Sequence, residues 1–205
     1  MLKDEGLGTL PGTAAEVLDD EIRAIICPDK LSTNQWLSVI RDAHNLGLKT
    51  TATMMYGHVE KTKHLARHFL HLIALQKETG GFTEFVPLPY VHMESPLFLK
   101  GKARKGPTFK ESVLVHAVAR IILYPYFRNI QTSWVKMGPE GSKICLNSGA
   151  NDLGGTLMNE SITRAAGAIH GQEMPPERMN DLIKKIHRIP KQRNTIYGEP
   201  NLKKS

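Results

Sequence analysis

The stretch Thr50-Thr51-Ala52-Thr53-Met54-Met55-Tyr56-Gly57-His58-Val59-Glu60 most narrows the folds open to this chain. Its first seven residues are β-branched or apolar with little alternation, the composition of a strand covered on both faces. Gly57 to Glu60 then reads as a turn carrying polar groups. A strand of this kind belongs to a parallel α/β sheet, where chemistry collects at the carboxyl ends of the strands. The plainer reading of the same residues is a core strand running into a helix start.

The flanking residues supply the helices that such a strand needs. Ser32-Thr33-Asn34-Gln35 has capping-box order, with Trp36, Val39, Ile40, Ala43 and Leu46 following at helical spacing and Gly47 closing the helix. Before it, Leu7 to Leu10 forms a short strand, Pro11-Gly12-Thr13 breaks it, and a helical turn runs from about Asp19 to Ile26 until Pro28 ends it. Strand, helix, strand implies a parallel connection. After Glu60 a helix runs to about Lys77, Thr79-Gly80-Gly81 stops it, and Phe82 to Tyr90 is the next strand. Pro87 and Pro89 forbid regular ladder bonds near its end. Val91 to Pro107 is a long loop, a candidate lid or substrate loop, and Thr108-Phe109-Lys110-Glu111 caps a helix reaching about Leu123. Further on, the pattern predicts a strand over Ile130 to Lys136, a short helix over Pro139 to Leu146, a strand over Ala150 to Leu157 and a helix from Pro175-Pro176; from Pro190 the tail is polar and irregular. Strands alternating with helices make this an α/β chain, either a segment of a TIM-type (β/α) barrel or an open parallel sheet.

Composition removes several classes of function. No apolar run approaches the roughly 20 residues of a membrane span, and Met1-Leu2-Lys3-Asp4-Glu5 lacks the order of a signal peptide, which points to the cytoplasm without membrane attachment. Cys27 and Cys145 form no CxxC, zinc-ligand spacing or disulfide framework and read as buried small hydrophobes. The net charge of +7 is concentrated in Lys100-Gly101-Lys102-Ala103-Arg104-Lys105 and in the tail from Lys184 to Lys204. Without interleaved aromatics or a recognition-helix pattern, these runs read as solvated segments rather than a nucleic-acid surface.

His64, His68 and His71 share one side of a helix, but no HExxH glutamate accompanies them, so the expected place for them is the solvated border and no metal is assigned. Gly138 to Lys143 lacks phosphate-loop spacing, and no GxSxG elbow occurs. The polar residues at predicted strand ends are Glu16, Tyr56, His58, Tyr90, His92, Lys136, Asn151 and Asp152. In a parallel barrel such ends converge on one mouth.

Five motifs in order, Leu10-Pro11-Gly12-Thr13-Ala14-Ala15-Glu16, Thr50 to Glu60, Phe85-Val86-Pro87-Leu88-Pro89-Tyr90-Val91-His92, Ser133-Trp134-Val135-Lys136-Met137-Gly138 and Asn151-Asp152-Leu153-Gly154-Gly155-Thr156-Leu157-Met158, resemble the tyrosine-using subunit or domain of FO synthase. That family belongs to the radical SAM enzymes and makes the deazaflavin chromophore of coenzyme F420. Futalosine-pathway enzymes of menaquinone synthesis share part of the pattern. The resemblance implies strands four to eight of a radical SAM barrel over residues 1–189, followed by a basic tail over 190–205. It also implies a reaction in which cluster-bound S-adenosyl-L-methionine yields a 5'-deoxyadenosyl radical that acts on L-tyrosine. The 4-hydroxybenzyl group then joins 5-amino-6-(D-ribitylamino)uracil. By resemblance, Thr53 to Glu60 matches the GxIxGxxE strand, with Thr53 and Met55 replacing its first glycine and its isoleucine. Thr53, Met55 and Gly57 would pack against the cofactor, and Glu16 would face its adenosyl group. Tyr56, His58, Tyr90, His92, Lys136, Asn151 and Asp152 would line the substrate side.

One departure matters. The CxxxCxxC loop that would ligate the [4Fe-4S] cluster is not in these residues, and Cys27 and Cys145 cannot replace it. The expected partners are therefore the two small substrates, together with the other FO synthase subunit or a cluster-bearing amino-terminal half. The alternative is a non-catalytic binding or scaffold fragment that keeps the substrate face.

Overall fold

A computed structural model describes residues 3–157, 159–167, 170 and 173–200. Three parallel strands, β1 (Thr9–Leu10), β2 (Lys49–Tyr56) and β3 (Phe82–Pro89), lie side by side in that order. Between them run α1 (Asp20–Ile26), α2 (Thr33–Asn45) and α3 (Thr62–Thr79). Then follow α4 (Pro96–Leu99), α5 (Phe109–Leu123), α6 (Trp134–Asn147), α7 (Ile162–Ala165) and α8 (Pro176–Lys184). The architecture is α/β, as the alternation of patterns implied.

The capping boxes form as expected. Ser32 Oγ accepts from the Gln35 amide while Gln35 Oε1 accepts from the Ser32 amide, and Thr108 and Glu111 do the same at the start of α5. Gly80, in the left-handed region at φ 62°, ends α3. Gly81 is required for another reason: a Cβ there would lie 2.1 Å from Cγ of His44. That close approach lets the His44 ring tie the end of α3 to β2, through Thr79 Oγ1 at 2.6 Å and Thr50 Oγ1 at 2.7 Å.

The two faces of β2 differ. Ala52, Met54 and Tyr56 join Phe85, Phe69, Leu72 and Leu123 in the core under the helices, each large side chain contributing about 1.5–3 kcal/mol by leaving water. Thr51, Thr53 and Met55 alternate onto the opposite, less covered face.

Beyond β3 the sheet differs from expectation. Instead of a strand over Ile130 to Lys136, a single parallel bridge joins Phe85 to Ile130, and the chain becomes helical at Trp134. The prolines account for this. Phe85 donates its amide to Asn129 and accepts from Gln131 on this edge, each at 2.9 Å. The next residues presenting an amide position to the same edge are Pro87 and Pro89, which have no N–H. β3 nevertheless stays paired with β2 as far as Pro89, because Val86 and Leu88 supply the donors on that side. The strand expected over Ala150 to Leu157 likewise shrinks to one bridge, Gln131 with Asp152. Asp152 Oδ1 accepts from the Gly154 amide at 2.5 Å, and Gly154 turns away at φ 76°. The helix expected from Pro139 starts earlier, and Gly138 (φ 68°, ψ 173°) kinks it just before the proline.

Two further expectations are corrected. His64 and His68 do not sit on a solvated border: they are buried, His68 completely. Its Nδ1 accepts from the Leu18 amide at 2.9 Å, stitching α3 to the segment before α1, and burial lowers its pKa to about 3. The tail beyond 190 is irregular but docked: Arg193 pairs with Asp152 and Glu84, and the Tyr197 hydroxyl donates to Glu84 Oε2 at 2.7 Å.

Candidate functional site

The turn after β2 is built around Glu60. Its carboxylate, almost fully buried, accepts the amides of Gly57 at 2.6 Å and His58 at 2.8 Å and pairs with Arg104 at 3.2 Å. Arg104 also reaches Glu111 at the start of α5, so one guanidinium clasps the turn, the 91–107 loop and α5. Gly57 sits at φ 97°, and a Cβ there would lie 2.2 Å from Cδ of Pro107. Only glycine lets the loop lie this close to the strand end.

His58 is buried beneath this turn. Its Nδ1 accepts from the Val59 amide at 2.8 Å, which makes Nε2 the protonated nitrogen, donating to the Met55 carbonyl at 3.2 Å. Burial lowers its pKa, against the opposing pull of Glu60, so the neutral ring is the favoured form. The ring meets Tyr90 edge-on with centroids 5.9 Å apart. Tyr90 continues the ladder, its amide donating to the Tyr56 carbonyl at 2.8 Å, and its hydroxyl bonds to Ser95 in the loop.

Glu16 lies at the same end of the sheet. Its backbone adopts φ 48°, its carbonyl accepts from the Met55 amide at 2.8 Å, and its carboxylate pairs with Lys30 at 2.8 Å. Thr53 donates its hydroxyl to the Gly12 carbonyl at 2.7 Å. Glu16, Thr53, Met55 and Gly57 thus form one continuous wall along the less covered face of β2.

Next to it a cavity of about 380 Å³ opens between the 91–107 loop, α5 and α6. Tyr90, His92 and Lys136 line it, with Lys105, Phe109, Ser112 and His170. His92 is held edge-on against Phe98, centroids 4.7 Å apart. Lys136 reaches the cavity from the first turn of α6 rather than from a strand end.

Besides His58, buried beneath the turn, three of the sequence-derived residues lie outside the cavity lining. Tyr56 points to the helix layer, where burial beside Ser112 and Cys145 raises its pKa. Asn151 fixes the start of the last bridge, its Oδ1 accepting from the Ile130 amide at 2.8 Å and from Arg120 at 2.9 Å. Asp152 is held by Arg193. Lys105 and His170 as lining residues and Glu60 and Arg104 as organisers are not assigned from the sequence; Glu60 carries a signal as the closing residue of its motif, and Arg104 and Lys105 as part of the basic cluster in the candidate substrate loop.

Among the described residues one group has metal-ligand spacing, Asp19, Glu21 and His64. Its carboxylates are already paired with Arg67 and Lys63. Cys27 and Cys145 are buried, with thiol pKa values raised by burial, so this chain holds no set of thiolates that fits an iron-sulfur cluster.

The family model of the CofH/MqnC C-terminal region matches residues 79–205. The chain belongs to this family. Curated relatives extend the similarity across the wall and the turn. A Methanococcus maripaludis (strain S2) protein is 53% identical over 197 residues, 96% of this chain and 55% of its own length. A Methanocaldococcus jannaschii protein is 51% identical with the same coverage, and an Archaeoglobus fulgidus protein is 52% identical over 57% of its length. Each of the three is named a 5-amino-6-(D-ribitylamino)uracil--L-tyrosine 4-hydroxyphenyl transferase. This chain spans about half the length of the relatives it matches. No helix among its described residues is long and apolar enough to cross a membrane.

Proposed function

We propose that this chain forms strands four to eight of a radical SAM (β/α) barrel in a transferase of FO synthesis for coenzyme F420, with 1–189 as the barrel part and 190–205 as its tail. The transferase joins the 4-hydroxybenzyl group of L-tyrosine to 5-amino-6-(D-ribitylamino)uracil in the cytoplasm. The observation carrying this reading is the similarity to these relatives, 51–53% identical over 96% of the chain.

The residues fit the organic cofactor and not the cluster. Met55 is half-buried on the open face, Glu16 keeps part of its carboxylate in reach of solvent, and the Gly57 turn is fixed by Glu60. Together with Thr53 they would hold S-adenosyl-L-methionine, which supplies hydrogen-abstracting radical chemistry when bound to a reduced cluster. Cluster ligands come from outside these residues. This chain's own part is to fix the wall, exclude water through the clasped loop and orient the substrates beside Tyr90, His92 and Lys136, with His58 supporting Tyr90 from beneath.

The test is a chimera in which this chain replaces the matching part of the Methanocaldococcus jannaschii relative. With L-tyrosine, the aminouracil and S-adenosylmethionine it is expected to form the coupled product, whereas the 205-residue chain alone releases no 5'-deoxyadenosine after anaerobic reconstitution. A folded, cluster-loaded chimera without product refutes the reading.

A further inference from the structure

The cavity beside the wall has an uneven charge. Its lining brings together Lys105, Lys136, His92 and His170, and among the described residues it includes no carboxylate. Whereas Lys105 is exposed, Lys136 is half-buried. Burial pulls its pKa down, and the nearby carboxylates of Glu160 and Glu16 pull the other way. Neither acid is its partner: Glu16 is bonded to Lys30, and Glu160 accepts the Thr163 amide at 2.9 Å with its second oxygen buried and unpaired. A half-buried ammonium without a hydrogen-bond acceptor is unfavourable, and a ligand can supply one. The apolar part of the lining includes two aromatic rings, Tyr90 and Phe109, among aliphatic and thioether side chains such as Val91, Met93 and Met137, and the volume lies within the range of about 300–1,000 Å³ of small-molecule sites.

We propose that this cavity receives the α-carboxylate of an L-α-amino acid on Lys136, with the side chain laid against Tyr90 and Phe109. Of the two substrates in the function proposed above, on which the identity of the amino acid rests, only L-tyrosine has both a carboxylate and an aromatic ring. The aminouracil carries no carboxylate and offers Lys136 only neutral oxygen acceptors, which are weaker partners for an ammonium than a charged one. The cavity is therefore the tyrosine site, Lys136 its anchor, and the aminouracil binds elsewhere along the mouth.

The experiment is isothermal titration of the 205-residue chain with L-tyrosine, tyramine, 3-(4-hydroxyphenyl)propanoate and 5-amino-6-(D-ribitylamino)uracil. Lys136→Met is expected to weaken L-tyrosine and the propanoate roughly 10- to 100-fold, the scale of one charge-assisted hydrogen bond, and to leave tyramine unchanged. Lys136→Arg is expected to restore part of the loss. Circular dichroism and the thermal midpoint establish that both variants are folded. Unchanged L-tyrosine binding in folded Lys136→Met, or an equal loss for tyramine, overturns the anchor, and so does a chain that binds no amino acid. If another L-α-amino acid or S-adenosylhomocysteine binds through Lys136 while L-tyrosine does not, the anchor stands and the tyrosine reading falls.

Discussion

Replacing Arg193 with methionine tests whether the tail is part of the fold. The Arg193 guanidinium grips Asp152 through Nε and Nη2, approaches Glu84 Oε2 at 3.5 Å and stacks 4.0 Å above the Tyr197 ring. Asp152 and Glu84 are each less than a tenth exposed in their side chains, whereas Arg193 is 24% exposed. Removing one partner of a buried ion pair costs about 3–5 kcal/mol, and partial exposure of the arginine discounts this to about 2–4 kcal/mol. With a urea dependence of about 2 kcal/mol per molar, the unfolding midpoint falls by about 1–2 M. Lys191→Met is the control, because Lys191 pairs with Glu199 on the open surface and its loss leaves the midpoint unchanged. The deficit also depends on pH. Burial already raises the Glu84 pKa, and Arg193 is one of the groups holding it down. Without Arg193 it rises further, so the penalty is largest at neutral pH and shrinks as pH falls toward the ordinary glutamate value, where the folded state takes up its proton. An Arg193→Met chain with the wild-type midpoint at pH 7 would refute the latch and return 190–200 to a solvated tail.

Gly57→Ala is expected to destabilise the chain by more than about 1 kcal/mol, since both φ 97° and the contact with Pro107 oppose a side chain. The same substitution loosens the 91–107 loop, read as faster amide exchange there while β2 stays protected. His44 sets an acid limb. Burial lowers its pKa to about 4, so the folded state favours the neutral ring, and its share of stability is present above about pH 6.5 and lost as pH falls toward 4. His44→Gln is expected to flatten that part of a thermal-midpoint profile against pH; an unchanged slope in this window refutes the assignment.

How much of this was legible in the sequence depended on how local the cause was. The capping boxes at Ser32 and Thr108 and the stop at Gly80 involve neighbours a few residues apart, and they form as read. The sheet beyond β3 departs from the sequence pattern because Pro87 and Pro89 act on a neighbour more than forty residues away, by withholding donors from the segment at Ile130. The site divides along the same line. Tyr90, His92, Met55, Gly57 and Glu16 follow from strand ends, whatever their neighbours. Tyr56 was assigned to the mouth by position alone, yet strict alternation along β2 sends it under the helices while Met55 faces out.

Asn151 and Asp152 show why a strand end must be located before its residues are given a role. Both precede the part of their strand that would reach the mouth, because pairing with Gln131 begins at Asp152 itself. They stand near the level of Glu84, the third residue of β3, where the fold needs acceptors for Arg120 and Arg193. Lys136 is the opposite case: the strand predicted to carry it is absent, but the early turn into α6 places it in the cavity lining all the same. Position along an element therefore says less about where a side chain arrives than which end of the sheet the element reaches.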